Sequence, residues 1–170
     1  DVVGEYENLD GVRHAFARFG GVFSTIDVPG AAASRARGLN NLGEVVGHYD
    51  DSLGGRHGFF RSAAGVYTTI DVPGAEETMA GGINDAGGIV GTFFDSTGTP
   101  HGFLLVASDF VPFDVPGAVG TLATGINEAG QLTGEVVDAT GLHLGFVATP
   151  ALFCDGFESG DVSAWSNVVP

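Results

Sequence analysis

Short apolar and β-branched runs alternate with clusters of Gly, Asn, Asp and Pro along the whole chain. Over residues 78–115 the runs are bounded by Asn84-Asp85-Ala86-Gly87, Asp95-Ser96-Thr97-Gly98 and Val115-Pro116-Gly117. Runs of this length and composition read as strands. The clusters read as turns, because Asp and Asn accept bonds from their own turn and Gly takes a positive φ at no steric cost. The pattern predicts four strands, over 78–83, 88–94, 101–106 and 109–115. Val-Pro-Gly after the fourth predicts a type II turn, with Pro presetting φ and Gly in the left-handed position, at Gly74 and Gly117. No window carries the 3.6-residue apolar period of a helix.

The pattern repeats. Ile-Asp-Val-Pro-Gly-Ala at 26–31 and 70–75 is followed by Phe-Asp-Val-Pro-Gly-Ala at 113–118. Gly-(Leu/Ile)-Asn ends at Asn40, Asn84 and Asn127. A Val/Thr-Gly pair ends at Gly4, Gly47, Gly91 and Gly134, and a His precedes an aromatic at His14, His57, His101 and, in altered form, His143. These markers share one period of about 43 residues, giving periods 1–31, 32–75, 76–118 and 119–152 and a tail over 153–170. Four short antiparallel strands per period is the pattern of a β-propeller blade, and stacking such sheets buries both faces of each. The expected fold is therefore all-β, a propeller-like array of about four blades. A linear β-solenoid or β-prism-like stack is the alternative, although solenoid turns usually run shorter. Phe16, Phe59, Phe103 and Phe146 occupy equivalent third-strand positions and are expected between blades.

The chain opens within the second strand of its first period. In the last period strands are predicted over 123–127, 132–137 and 144–149, and Phe153-Cys154-Asp155-Gly156-Phe157 stands where Asp-Val-Pro-Gly-Ala would fall. The blades should hold three, four, four and three strands, with the first and last incomplete. Each incomplete blade presents a sheet edge that invites pairing with another chain. The interface candidates are Val2 and Val3 at one end and Phe153, Cys154, Phe157, Val162 and Trp165 at the other. The partner expected there is another copy of the chain, in a head-to-tail filament if the operator does not close. The tail folding back on its own last blade is the alternative.

Charge removes several function classes. Six Arg, no Lys and 21 acidic residues give a net charge of -15, which excludes a phosphate-tracking nucleic-acid binder. No apolar run is long enough for a membrane-spanning helix. The single Cys154 excludes an internal disulfide framework. It reads as an inter-chain partner or as a small buried side chain.

His14-Ala15-Phe16 and its surroundings resemble the extracellular HAF-repeat family of bacteria. The fuller pattern is carried by residues 82–91, by Asp95 through Phe103, and by Asp114-Val115-Pro116-Gly117-Ala118. The resemblance covers about residues 1–150 and implies a secreted, propeller-like protein with no attached reaction. Asp155 through Ser166 is similar to a tail found on many secreted proteobacterial proteins. The last period departs from the pattern, since Leu144 follows His143 and the Asp-Val-Pro-Gly element is lost.

The candidate chemistry is repetitive. A catalytic group normally occurs once, whereas these His recur, so each ring is expected to bond a neighbouring blade or turn. His48 falls outside the pattern and is expected on the surface. Asp27, Asp71 and Asp114 before Val-Pro-Gly, with Asp51, Asp95 and Asp138 in the turns, are oxygen-rich enough to be weighed as calcium ligands. The competing expectation is that each caps its own turn. No nucleophile elbow or nucleotide fingerprint is present, and Glu76-Glu77 would point apart. The expected function is a non-catalytic, extracellular structural or adhesive protein without a cofactor. A glycan- or calcium-binding lectin-like module is the alternative. One Trp and three Tyr weaken it, because sugars are usually stacked on those rings.

Overall fold

The computed structural model describes residues 1–149. Phe153, Cys154, Phe157, Val162 and Trp165 lie outside the described residues. Fourteen strands form four antiparallel meanders, and no helix occurs among the described residues. Sheet I contains β1 (Val2–Glu7), β2 (Arg13–Phe19) and β3 (Val22–Thr25). Sheet II contains β4 (Ala33–Leu39), β5 (Val45–Asp50), β6 (Arg56–Arg61) and β7 (Tyr67–Ile70). Sheet III contains β8 (Glu77–Ile83), β9 (Ile89–Phe94), β10 (Pro100–Val106) and β11 (Asp109–Phe113). Sheet IV contains β12 (Gly120–Ile126), β13 (Leu132–Val137) and β14 (His143–Ala148). The strand pattern of three, four, four and three is the one read from the sequence. Among the described residues sheet I has no first strand and sheet IV no fourth.

The sheets stack in chain order. The first strand of each carries most of the approach: β4 packs on β1 and β2, β8 on β5 and β6, and β12 on β9 and β10. Successive side chains of a strand point to opposite faces. Val45 therefore joins the core between sheets I and II while Val46 joins the core between II and III, and both are fully buried. Burial on both faces explains why the second strands read as continuous apolar pairs instead of alternating with polar residues. Phe59, Phe103 and Phe146 sit in three successive inter-sheet cores at 0%, 0% and 3% exposure. Phe16 differs and is only half-buried, because its face of sheet I has no preceding sheet against it.

The turns follow their chemistry. Gly30, Gly74 and Gly117 have φ of 82°, 83° and 82°. The N–H groups of Ala31, Ala75 and Ala118 donate to the carbonyls of Val28, Val72 and Val115, which closes each Val-Pro-Gly-Ala turn as expected. A β-bulge lies in every first strand, between Ala36 and Gly38, Ala80 and Gly82, and Ala123 and Gly125. There the first strands converge. A Cβ on Gly38 would lie 2.9 Å from the Cα of Gly82, and one on Gly82 would lie 3.0 Å from the Cα of Gly125.

Candidate functional site

The recurring histidines form a clasp within each of sheets I, II and III. In sheet II the His57 Nδ1–H donates to Asp71 at 3.0 Å, Nε2 lies 3.5 Å from Asp51 Oδ2, and the ring lies against Tyr49 at a centroid distance of 5.2 Å. In sheet III His101 donates to Asp114 at 2.9 Å, reaches Asp95 at 3.4 Å and stacks on Phe93 at 5.1 Å. The clasp ties the Asp-x-x-Gly turn to the Asp-Val-Pro-Gly segment across the third strand. Asp51 and Asp95 also cap their own turns, accepting from the N–H groups of Leu53 and Gly55 and of Thr97 and Thr99.

A ring whose two nitrogens both face carboxylates is best satisfied as the doubly donating imidazolium. Burial pulls the pKa of His57 down, but the bonds and charges of Asp71 and then Asp51 outweigh it and leave the pKa raised. Asp114 and Asp95 raise His101 against burial in the same way. In sheet I, Asn8 replaces the turn Asp. Its Oδ1 accepts from the N–H groups of Asp10 and Val12, so its Nδ2 donates to His14 Nε2 at 3.0 Å. His14 is thereby held as the Nδ1–H tautomer facing Asp27.

The His57 and His101 clasps set a pH dependence. A His pKa raised in the folded state contributes stability that is fully present below the unfolded value of about 6.5 and is lost as pH rises through the folded pKa. The clasps should therefore lower the melting temperature as pH is raised from about 6 to about 9, a range in which the carboxylates stay ionised, against the opposite contribution of His48, whose lowered pKa favours folding as pH rises through the unfolded value. A His57→Gln/His101→Gln double variant should lose that fall in pH-dependent thermal melts. Equal slopes in the two proteins would show that the clasps do not titrate.

His143 departs from the expected pattern. Counted from the buried Phe146, the position of His101 is taken by Leu144, which pairs with Val136 just as His101 pairs with Phe93. Three histidines share the register, not four. His143 instead donates to Glu135 on the outer face of sheet IV. His48 is also corrected. It is 94% buried between sheets II and III, not on the surface. Burial, followed by the charges of Arg37, Arg35 and Arg56, lowers its pKa to about 3, and its Nδ1 has no hydrogen-bond partner.

Sequence reasoning missed three ties between sheets. Ser34, Thr78 and Thr121 hydroxyls each accept the backbone N–H of the preceding Val-Pro turn, from Val28, Val72 and Val115. Asn40 Nδ2 donates to the Asn84 carbonyl and Asn84 Nδ2 to the Asn127 carbonyl, both at 3.2 Å. Arg35 bridges Glu5 to Asp50, and Arg56 bridges Asp50 to Glu77, so one charge network crosses sheets I, II and III. Recurrence of Ser or Thr at 34, 78 and 121 was the available signal for the first of these.

The calcium candidates are occupied by protein partners. Asp51 and Asp71 share His57, Asp95 and Asp114 share His101, Asp27 holds His14 and Asp138 caps its turn through Thr140 and Leu142. Among the described residues no three His, Cys, Asp or Glu side chains converge as a metal would need. A groove of about 400 Å³ runs between sheets II and III over Phe60, Ile89, Leu105 and Phe110. Its two carboxylates are engaged elsewhere, Asp71 by His57 and Glu44 by Asn40. Of the sequence-derived interface candidates, Val2 is 52% exposed, whereas Val3 packs inward against the core between sheets I and II. No helix among the described residues is long and apolar enough to cross a membrane. Neither the protein-family models nor the curated proteins compared with the chain give a match.

Proposed function

We propose that the chain is a non-catalytic, secreted structural or adhesive protein of the HAF-repeat type, propeller-like in arrangement, that acts through its surfaces and associates with copies of itself. The observation that carries this reading is the employment of its repeated polar groups. The recurring His, Asp, Asn and Ser/Thr side chains bond their own turn, their own sheet or the adjacent sheet. The same chemistry repeated from sheet to sheet is what a stacked array needs and what a single reaction centre does not. Convergence of the first strands at Gly38, Gly82 and Gly125 supports blades gathered along a common inner line. A net charge of -15 keeps such a surface soluble until a specific contact forms. Light scattering across a concentration series, with negative-stain images, is the test. A mass that climbs above 17.3 kDa with concentration is expected, and a compact particle that stays at that mass would overturn the reading.

A further inference from the structure

We propose that the open face of sheet I docks on the outward face of sheet IV of a second copy of this chain, so that copies join head to tail. This deepens the self-associating reading above and rests on it.

The register of the repeat says what each face is built to meet. Val2 in sheet I is equivalent to Val45, Ile89 and Leu132, which are 0%, 6% and 0% exposed under the sheet that precedes each. Val2 itself is 52% exposed, and Phe23 on the same face is 66% exposed. Cross-strand pairing places Val2 and Phe23 both opposite Arg18, and Phe16 opposite Gly4 and Thr25, so these groups form one continuous surface. A hollow of about 380 Å³ opens there between Tyr6, Phe16 and Phe23.

Sheet IV presents the other half. Val147 stands at the position of Phe60 and Leu104, and Thr133 at the position of Val46 and Val90. In sheets II and III these positions lie in the cores shared with the next sheet. In sheet IV both are exposed, Val147 at 41%. Gly145 points the same way: a Cβ there would have only the Gly134 carbonyl, 4.0 Å off, for company, whereas one on Gly58 would meet the Ala80 nitrogen of the next sheet at 3.4 Å. Apart from a first strand in sheet I and a fourth in sheet IV, which the described residues do not supply, the chain thus carries both faces of an inter-sheet contact that it makes three times internally. The charges complement each other too. Arg18, lying over the Phe23 ring at 5.6 Å, gives the sheet I face its cation, while Glu135, bonded to His143, lies on the sheet IV face. A contact between two different faces extends into a fibre unless its rotation closes a ring.

The test uses end-blocking variants, Phe23→Glu on one face and Val147→Glu on the other. Both residues are exposed, and unchanged melting curves will confirm that folding is intact. Val2→Glu serves as a second block on the sheet I face if Phe23→Glu melts early. In sedimentation velocity the wild type should form species beyond the dimer, each variant alone should stay monomeric, and an equimolar mixture of the two should stop at the dimer, since only one junction can form. A wild type that remains monomeric up to about 1 mM would overturn the self-associating reading and this junction with it. A wild type that associates while either variant associates equally well would overturn the junction alone. So would two monomeric variants whose mixture stays monomeric.

Discussion

Phe103→Ala should lower the unfolding free energy by about 3–5 kcal/mol, the range for deleting a fully buried phenyl ring from a packed core. Phe103 is at 0% exposure in the core between sheets II and III, with Phe110 edge-on at 5.7 Å. The lost ring leaves a gap that cannot collapse, because its walls are strands locked in their ladders on both sides. At roughly 2–4 °C per kcal/mol for a chain of this size, the melting temperature should fall by about 10 °C. Phe16→Ala is the paired control. It removes the same side chain at the same repeat position, but from the uncovered face of sheet I, where Phe16 is half-buried. Its cost should be well under half of that at Phe103. Thermal melts of the two variants decide the matter. If Phe103→Ala melts with the wild type, or the two variants lose equal amounts, inter-sheet burial does not set the core.

The architecture was legible because its signals are local. A Val-Pro-Gly turn, an Asn-x-x-Gly turn and a β-branched run each depend on neighbours in sequence, and their recurrence fixes the strand count without reference to tertiary partners. What was not legible depends on partners outside the turn and strand patterns, six residues off or a whole period away. Ser34 meets Val28 across a turn, and the Asn40 side chain reaches the Asn84 carbonyl in the next sheet. Nothing near Asn40 in the chain announces that partner. His48 was misjudged for the same reason. Second-strand side chains alternate between two covered faces, so a polar residue there is as enclosed as the valines beside it. The misreading of His143 came from matching the letter in place of the register. The register follows from the buried Phe146, and it assigns the clasp position to Leu144. The partner ring changes with it: Tyr6, Tyr49 and Phe93 lie against a histidine, and opposite Leu144 the aromatic becomes Val136. The ring and its stacking partner are therefore gained or lost together, whereas the turn acid stays, since Asp138 holds the position of Asp51 and Asp95 in sheet IV.

Gly91→Ala should be among the most damaging single-methyl additions in the molecule, costing about 3 kcal/mol or more, beyond the usual range for overpacking. Gly91 lies at the centre of sheet III, paired with Ala80 on one side and Phe103 on the other. A Cβ there would sit 2.1 Å from the Met79 carbonyl oxygen and 2.6 Å from Cε1 of Phe103. Neither can give way. The oxygen belongs to the bulged first strand, and the ring is fully buried. Gly47 and Gly134 face the same geometry, each with a first-strand carbonyl oxygen 2.0 Å from the added carbon. The glycine is thus required for space, since its φ is not in the left-handed region. Gly4 carries the same marker in sheet I, which has no first strand among the described residues. Its Cβ would meet only the ring of Phe16, at 2.9 Å, and that half-exposed ring is free to turn aside. Gly4→Ala should therefore cost less than about 1 kcal/mol. Equilibrium denaturant unfolding of the two variants separates the causes. A large loss at Gly91 beside a small one at Gly4 assigns the repeated glycine to the close passage of the first strand. Equal losses would show that it answers to the β-strand itself.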